Sequence, residues 1–226
     1  MVTRRAAELR LVVDRWATKV ELFAANDRLR ASSGPHRTAH MDQNNRTHVM
    51  DEADVHGAVA GMAREIVERN EGTDDLVLIG IQRRGTQIAA LLVSEIERTE
   101  AVSIEAGFID ITLYRDDLMV VGPRPIVGES KLPSRGIDRQ NVVLVDDVLY
   151  TGRTIRAALN ELMDWGRPKL IHLCVLVDRG GRELPIQPDI VGKRVDLLKT
   201  QSVEVLVPEI DGALAVDILT VNPEAI

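Results

Sequence analysis

Apolar residues in this chain change their spacing as the sequence proceeds. In RRAAELRLVVDRWATKVELFAANDRLR, Leu9, Val12, Val13, Trp16, Val20 and Phe23 recur every three or four residues, which predicts an amphipathic helix. The following ASSGPHRTAHMDQNNRTH is polar, carries Gly and Pro and has no period, so it reads as a linker ending at His48. From Met50 the pattern becomes αβαβ. MDEADVHGAVAGMAREIVERN predicts a helix whose acidic first turn suits the positive end of the helix dipole. LVLIGI (76–81) is a β-branched run that ends at the loop QRRG, after which TQIAALLVSEIER returns to helical spacing. A second strand region covers about Val102 to Tyr114, and a polar stretch with Pro and Gly continues to about Asp138. Such a long connection in a compact domain is a candidate lid. VVLV (142–145), the helix TIRAALNELMDWG and the strand KLIHLCVLVD (169–178) follow.

Short, wholly apolar strands alternating with helices imply an α/β fold with a mostly parallel central sheet flanked by helices on both faces. In such sheets ligands sit outside the carboxyl ends of the strands. Three loops meet that condition: QRRG after Ile81, DDVLYTGRT after Val145, and DRGGRELP after Val177.

Composition narrows the classes. With 226 residues, 45% of them hydrophobic, the chain can bury one sizeable core. No apolar run approaches the roughly 20 residues of a membrane span, so a cytoplasmic protein with no membrane partner is expected. The single cysteine, Cys174, lies in LIHLCVLV and reads as a small buried hydrophobe. A formal charge of -7 argues against bulk electrostatic attraction to nucleic acid. His36 and His40 stand four apart in the linker and do not make a metal site on that spacing alone.

The stretch VVLVDDVLYTGRT (142–154) carries the most chemistry. Its end, LYTGRT, opens a helix whose unpaired N–H groups and dipole favour a phosphate. Gly152 permits close backbone approach, and Thr151 and Thr154 offer hydroxyl donors. Two carboxylates beside an anion site repel its occupant unless something separates them. A phosphorylated ribose does so, because its hydroxyls donate to carboxylates while its 5-phosphate lies on the far side of the sugar. Asp146 and Asp147 are therefore assigned to the hydroxyls. Consecutive strand residues point in different directions, so the two acids are expected to have unequal duties.

This stretch is similar to the phosphoribosyl-pyrophosphate motif of the type I phosphoribosyltransferases. From about Met50 onward the chain resembles the PyrR family of bifunctional pyrimidine-operon attenuation regulators and uracil phosphoribosyltransferases. The resemblance rests on GIQRRG (80–85), DITLYRDDL (110–118), VVLVDDVLYTGRT (142–154), GRP (166–168) and VLVDRGGRELPIQPDIVGK (175–193). It implies the type I phosphoribosyltransferase fold with a small hood, over residues 49–226, and leaves 1–48 as an N-terminal helical extension without a family counterpart. It also implies transfer of the phosphoribosyl group from phosphoribosyl pyrophosphate to uracil, giving UMP and pyrophosphate, with Mg²⁺ carried by the substrate and no direct protein ligand to the metal. Dimers or larger homo-oligomers belong to the same expectation.

Residue by residue, the resemblance makes 146–154 (Asp146, Asp147, Val148, Leu149, Tyr150, Thr151, Gly152, Arg153 and Thr154) the ribose- and phosphate-binding segment. Arg83, Arg84 and Gly85 match the pyrophosphate loop, in which a cis peptide bond is common, and Arg115 matches the lid arginine expected to close over pyrophosphate. Asp146, Asp147 and Arg115 are the catalytic candidates. Tyr150 stands where related oxopurine transferases place an aspartate, which favours a smaller base. The base pocket is expected near Val177 and Gln201. After the VGK segment the family's usual Pro-Thr-Ser is replaced by Asp196, Leu197 and Leu198, which alters the expected hood.

A second role follows from the same family: UMP-strengthened binding to the leader RNA of a pyrimidine operon. Arg182 and Lys193 are the RNA-binding candidates, with Arg64, Arg69, Arg179 and Arg194 as further cations. Two family positions that usually carry histidine and arginine are Gly181 and Gln187 here. The alternatives are an RNA-binding regulator with weak or no catalysis and a purine or orotate phosphoribosyltransferase.

Overall fold

The computed structural model describes residues 45–114 and 130–220. The expected helix near the N-terminus, most of the linker and Arg115 lie outside the described residues. The chain divides into two units, one spanning 53–198 and the other combining 1–52 with 199–226.

The larger unit is built on five parallel strands in the order β3-β2-β4-β5-β6. These are β2 (Leu76–Ile81), β3 (Glu105–Ile109), β4 (Asn141–Leu149), β5 (Leu170–Asp178) and β6 (Ile190–Arg194). Every residue of β2 is buried, the pattern of a strand covered on both faces. Helix α1 (Glu52–Arg69), α2 (Arg84–Glu100) and α3 (Arg153–Trp165) provide the cover. On one face Ile155, Ala157, Ala158 and Leu162 of α3 join a cluster with Val77, Ile79, Ile81, Val142 and Leu144. Side chains alternate along a strand, so Leu76, Leu78 and Val143 belong to the opposite face. There a side chain at Gly192 of β6 would meet Met62 of α1, and one at Gly80 of β2 would meet the first turn of α2. Cys174 is fully buried in β5, and that burial pushes its thiol well above the ordinary range. Among the described residues no helix is long and apolar enough to cross a membrane.

Two boundaries differ from the sequence reading. The strand predicted over 142–145 continues through both aspartates to Leu149, because β5 supplies partners as far as Leu149↔Asp178. The strand region predicted over 102–114 divides into β3 and a 3-10 turn, Ile111–Tyr114. Asp110 makes the break, its carboxylate accepting from the Thr112 N–H at 2.9 Å.

The chain re-enters the described structure at Ser130, whose hydroxyl accepts from the Asp110 N–H at 2.9 Å and donates to Glu161 of α3. Burial raises the Glu161 carboxyl above its ordinary range, and the charges of Asp110 and Asp164 push the same way. A carboxyl raised in the fold contributes full stability below its unfolded value and loses it as pH rises through the folded one. Glu161→Gln keeps an acceptor for Ser130, so we expect its melting temperature near pH 7 to exceed wild type by about 1–2 °C. The difference should vanish below about pH 4.5. Calorimetric melting across that range checks it, and a variant less stable at pH 7 would contradict the account.

The smaller unit holds a three-stranded antiparallel sheet in the order β1-β8-β7, formed by β1 (Arg46–Met50), β7 (Gln201–Leu206) and β8 (Ala215–Thr220). A short helix α4 (Pro208–Asp211) joins β7 to β8. Strand β1 begins inside the segment read as linker, and its polar composition explains the misreading. It is held by ionic partners: Arg46 donates to Asp217 and Glu204, each at 2.6 Å, and His48 Nδ1 lies 2.8 Å from the buried Asp217. A strand anchored in this way shows no apolar alternation to find.

Candidate active site

Three strand ends of the parallel sheet bring the sequence-marked loops together. At the end of β2 the peptide bond Gln82–Arg83 is cis, as the resemblance implies. Arg83 is exposed and Arg84, half-buried, opens α2. The helix has no acidic residue in its first turn and no side-chain cap, and a helix start of that kind favours an anion. Thr86 in the same turn is buried, and its hydroxyl has no hydrogen-bond partner in the protein. That hydroxyl is a donor the sequence reading missed, since a lone threonine in a helical run carries no distinguishing signal.

The first turn of α2 lies directly against β4. A Cβ at Gly85 would stand 2.6 Å from the Val145 carbonyl oxygen and 3.0 Å from Asp146 Cα. A Cβ at Gly80 would stand 2.6 Å from Thr86 Cα. Two glycines thus let the pyrophosphate-type loop touch the strand that carries the acids.

Asp146 is buried and Asp147 half-buried, so the two acids differ in surroundings. Each caps the backbone just ahead of it: Asp146 Oδ1 accepts from the Asp147 N–H at 3.0 Å, and Asp147 Oδ1 from the Val148 N–H at 2.9 Å. Burial raises both carboxyls, Asp146 well above the ordinary range, and the neighbouring Asp147 charge adds to the effect on Asp146. For Asp147, the Arg84 cation counters part of the burial penalty, so Arg84 and Asp147 act on one electrostatic locale. Such a pair is under-solvated, and hydroxyl donors or a cation brought by a ligand would stabilise its charge.

Beyond the acids the chain turns through Tyr150 and Thr151 into α3. Gly152 caps the helix at φ 91, a left-handed conformation that glycine adopts without strain. The first turn of α3 again has no acid and no side-chain cap. Thr151 Oγ1 accepts from the Arg153 N–H at 3.3 Å, and Arg153 and Thr154 are exposed. The Tyr150 ring is 40% exposed and carries the Arg179 guanidinium 3.9 Å above its centroid. Gly181 makes room for the same ring, since a Cβ there would lie 2.5 Å from Tyr150 Cε2.

The remaining candidates fall differently. Val177 is fully buried within β5, so only its backbone could address a ligand, while Gln201 opens β7 of the smaller unit and donates to Thr220 at 3.4 Å. Lys193 is exposed on β6. Arg182, read as an RNA contact, is turned inward: its guanidinium donates to Asp178 at 2.5 Å and to the Tyr150 and Ile186 carbonyls at 2.8 and 3.0 Å. With 12% of its side chain exposed, its guanidinium is satisfied largely within the chain. Among the described residues no group of three or more His, Cys, Asp or Glu is placed to hold a metal.

A parallel sheet with two helix N-termini flanking a pair of acids is what the class of phosphoribosyltransferases also presents, and the sequence places the chain in that class. The sequence profile of the phosphoribosyl transferase domain matches residues 49–208. Solved hypoxanthine phosphoribosyltransferases share the fold. One from Staphylococcus aureus has a TM-score of 0.57 at 20% identity, covering 82% of this chain and 100% of its own. One from Trypanosoma cruzi has a TM-score of 0.58 at 23% identity, covering 78% and 95%. Sequence similarity is far higher to the bifunctional protein PyrR of Herpetosiphon aurantiacus, 54% identical over 165 residues, or 73% of this chain and 92% of that protein. The PyrR of Acetivibrio thermocellus is 49% identical over 170 residues, covering 75% and 92%. The chain belongs to the PyrR family.

Proposed function

We propose that the protein transfers the 5-phosphoribosyl group of phosphoribosyl pyrophosphate to uracil, yielding UMP and pyrophosphate. The observation that carries this reading is the run of two buried or half-buried carboxylates directly into a glycine-capped helix N-terminus. Asp146 and Asp147 accept from the ribose hydroxyls, and the backbone of 150–154 receives the 5-phosphate. The first turn of α2, with Arg83 and Arg84, receives pyrophosphate. As the bond from C1 to pyrophosphate breaks, the leaving group keeps the electron pair, and donors already in place stabilise the growing charge. Uracil N1 bonds to C1 and gives up its proton to the departing pyrophosphate. Arg115 is assigned to the same leaving group on the strength of the resemblance.

Magnesium, carried by pyrophosphate and ribose oxygens with several waters, would neutralise the leaving group. Two adjacent carboxylates with raised affinity for protons fit a substrate-borne cation, and they do not form a cage for a resident one. A pyrimidine is preferred over an oxopurine because position 150 presents a stacked tyrosine ring and no carboxylate. Turnover of labelled uracil, hypoxanthine and orotate with phosphoribosyl pyrophosphate and Mg²⁺ tests the reading. Uracil is expected to be consumed at least about tenfold faster than either alternative, in keeping with the modest selectivity of shape and packing. Turnover of hypoxanthine or orotate without uracil would overturn it.

The family also supports a regulatory role as a UMP-responsive binder of pyrimidine-operon leader RNA, in a cytoplasmic homo-oligomer. With Arg182 engaged internally and Gly181 and Gln187 offering no cation, that role falls to exposed groups such as Lys193 and Arg194. A gel shift with leader RNA, with and without UMP, decides between enzyme alone and enzyme with regulator.

A further inference from the structure

The first half of the connection from β5 to β6, residues 179–184, is bound to the phosphate loop, and the direction of those bonds is informative. The Leu149 carbonyl accepts from the Arg179 N–H at 3.1 Å, and the Thr151 carbonyl accepts from the N–H groups of Glu183 and Leu184 at 3.0 and 3.1 Å. Between them, the Tyr150 carbonyl has Arg182 Nη1 at 2.8 Å. In a trans peptide the C=O of one residue and the N–H of the next point in opposite directions. Turning the carbonyls of 149, 150 and 151 toward the β5–β6 connection therefore turns the N–H groups of Tyr150, Thr151 and Gly152 away from it. Those N–H groups, followed by the first turn of α3, are left to an anion.

Arg182 holds the middle of this arrangement. Its Nε donates to the Ile186 carbonyl at 3.0 Å, and its Nη1 reaches Tyr150 at 2.8, Gly180 at 3.3 and Leu149 at 3.4 Å. Nη2 meets Asp178, which also accepts from the Gly180 N–H at 3.0 Å. Only the planar guanidinium fork can serve carbonyls in several directions at once; an ammonium of the same charge has three donors on a single atom. Arg153 of α3 also pairs with Glu183 of the connection at 2.7 Å, but that pair is about half exposed and screened.

We propose that Arg182 is a positioning residue for substrate phosphate: by holding the Leu149 and Tyr150 carbonyls it aims the loop's N–H groups at the 5-phosphate. The proposal rests on the reading of 150–154 as the 5-phosphate site. It assigns to the interior of the β5–β6 connection a role in substrate binding that its arginine-rich sequence conceals.

The test uses the full-length protein and its Arg182→Gln and Arg182→Lys variants. Steady-state kinetics give kcat and both KM values, calorimetric titration gives the affinity for ribose 5-phosphate, and thermal melting monitors the fold. Both variants are expected to raise KM for phosphoribosyl pyrophosphate and weaken ribose 5-phosphate binding by about tenfold or more, as lost ground-state phosphate binding does. KM for uracil should stay within about twofold and kcat within about threefold. Arg182→Lys failing to rescue would show that the fork matters and not the charge. The proposal is overturned by folded variants with wild-type ribose 5-phosphate affinity, by full rescue in the lysine variant, or by a parallel decline of every parameter with melting temperature. Should Arg182→Gln not fold, the lysine variant alone decides by the same criteria. A wild-type protein that turned over no base would sink the functional reading, yet the ribose 5-phosphate titration would still decide the role of Arg182.

Discussion

Asp147→Asn should lower kcat/KM for phosphoribosyl pyrophosphate about 10²-fold while leaving the protein at least as stable as wild type at neutral pH. The loss follows from replacing a charged acceptor by a neutral amide. A hydrogen bond to a charged group contributes about 1.5–3 kcal/mol, and each 1.36 kcal/mol is about tenfold in rate. The stability half of the expectation comes from the burial that raises both carboxyls. Groups raised in the folded state oppose folding when ionised, so removing one charge relieves the pair, and the benefit should fade as pH falls toward the ordinary carboxylate range. Asp146→Asn should behave alike, with the larger gain in stability because Asp146 is the more buried and more strongly raised. The same raised carboxyls predict an acid limb of the wild-type kcat/KM profile above the ordinary carboxylate range, moving to lower pH when Asp147, whose charge helps raise Asp146, is replaced. Wild-type kinetics in both variants would contradict the ribose assignment.

Gly85→Ala is the second large effect. The backbone there is not left-handed, so alanine is not excluded by its own conformation; the obstacle is the Val145 carbonyl 2.6 Å from the new methyl. Backbone on both sides cannot yield as a flexible side chain would. The methyl must push the first turn of α2 away from β4, separating Arg84 from Asp147. Overpacking of this kind costs about 1–3 kcal/mol of stability. Displacing the loop by about 1 Å should cost a further 10²-fold or so in kcat. Denaturant unfolding and steady-state kinetics check the two parts. A folded Gly85→Ala with wild-type kcat would show that the contact between the loop and the acid-bearing strand is not needed for turnover.

What the sequence disclosed and what it hid have separate physical causes. Wholly apolar runs such as LVLIGI can be satisfied only by burial on both faces, so the parallel sheet was legible from them. The acids, Gly152 and the loop after Ile81 were legible because charge and glycine in such places have few structural uses. The end of β4 was not, since Asp146 to Leu149 extend the strand through backbone pairing with β5, which side-chain pattern does not record. Strand β1 was hidden for a related reason: its stabilising partners are Asp217 and Glu204, far along the chain. Arg182 shows a different limit of sequence pattern. In a run of arginines near a binding loop every guanidinium looks like a ligand contact, and only the carbonyls around it reveal which one faces inward.

The strand order also governs when the site can come into being. Strand β2, with the pyrophosphate-type loop at its end, finds its neighbour β4 only after the intervening helix, β3 and the whole connection beyond Tyr114 have been made. Pairing across so long a separation carries a loop-closure cost before it returns any contact, and it is slow for that reason. A nascent chain that has not yet emerged past β4 therefore has half of an anion site and none of the acids. One that stops at the end of β5 has the acids and lacks the connection that aims the phosphate loop. Competence to bind the sugar phosphate is thus acquired late, and fragments ending at β5 should be unable to bind it however well their helices form.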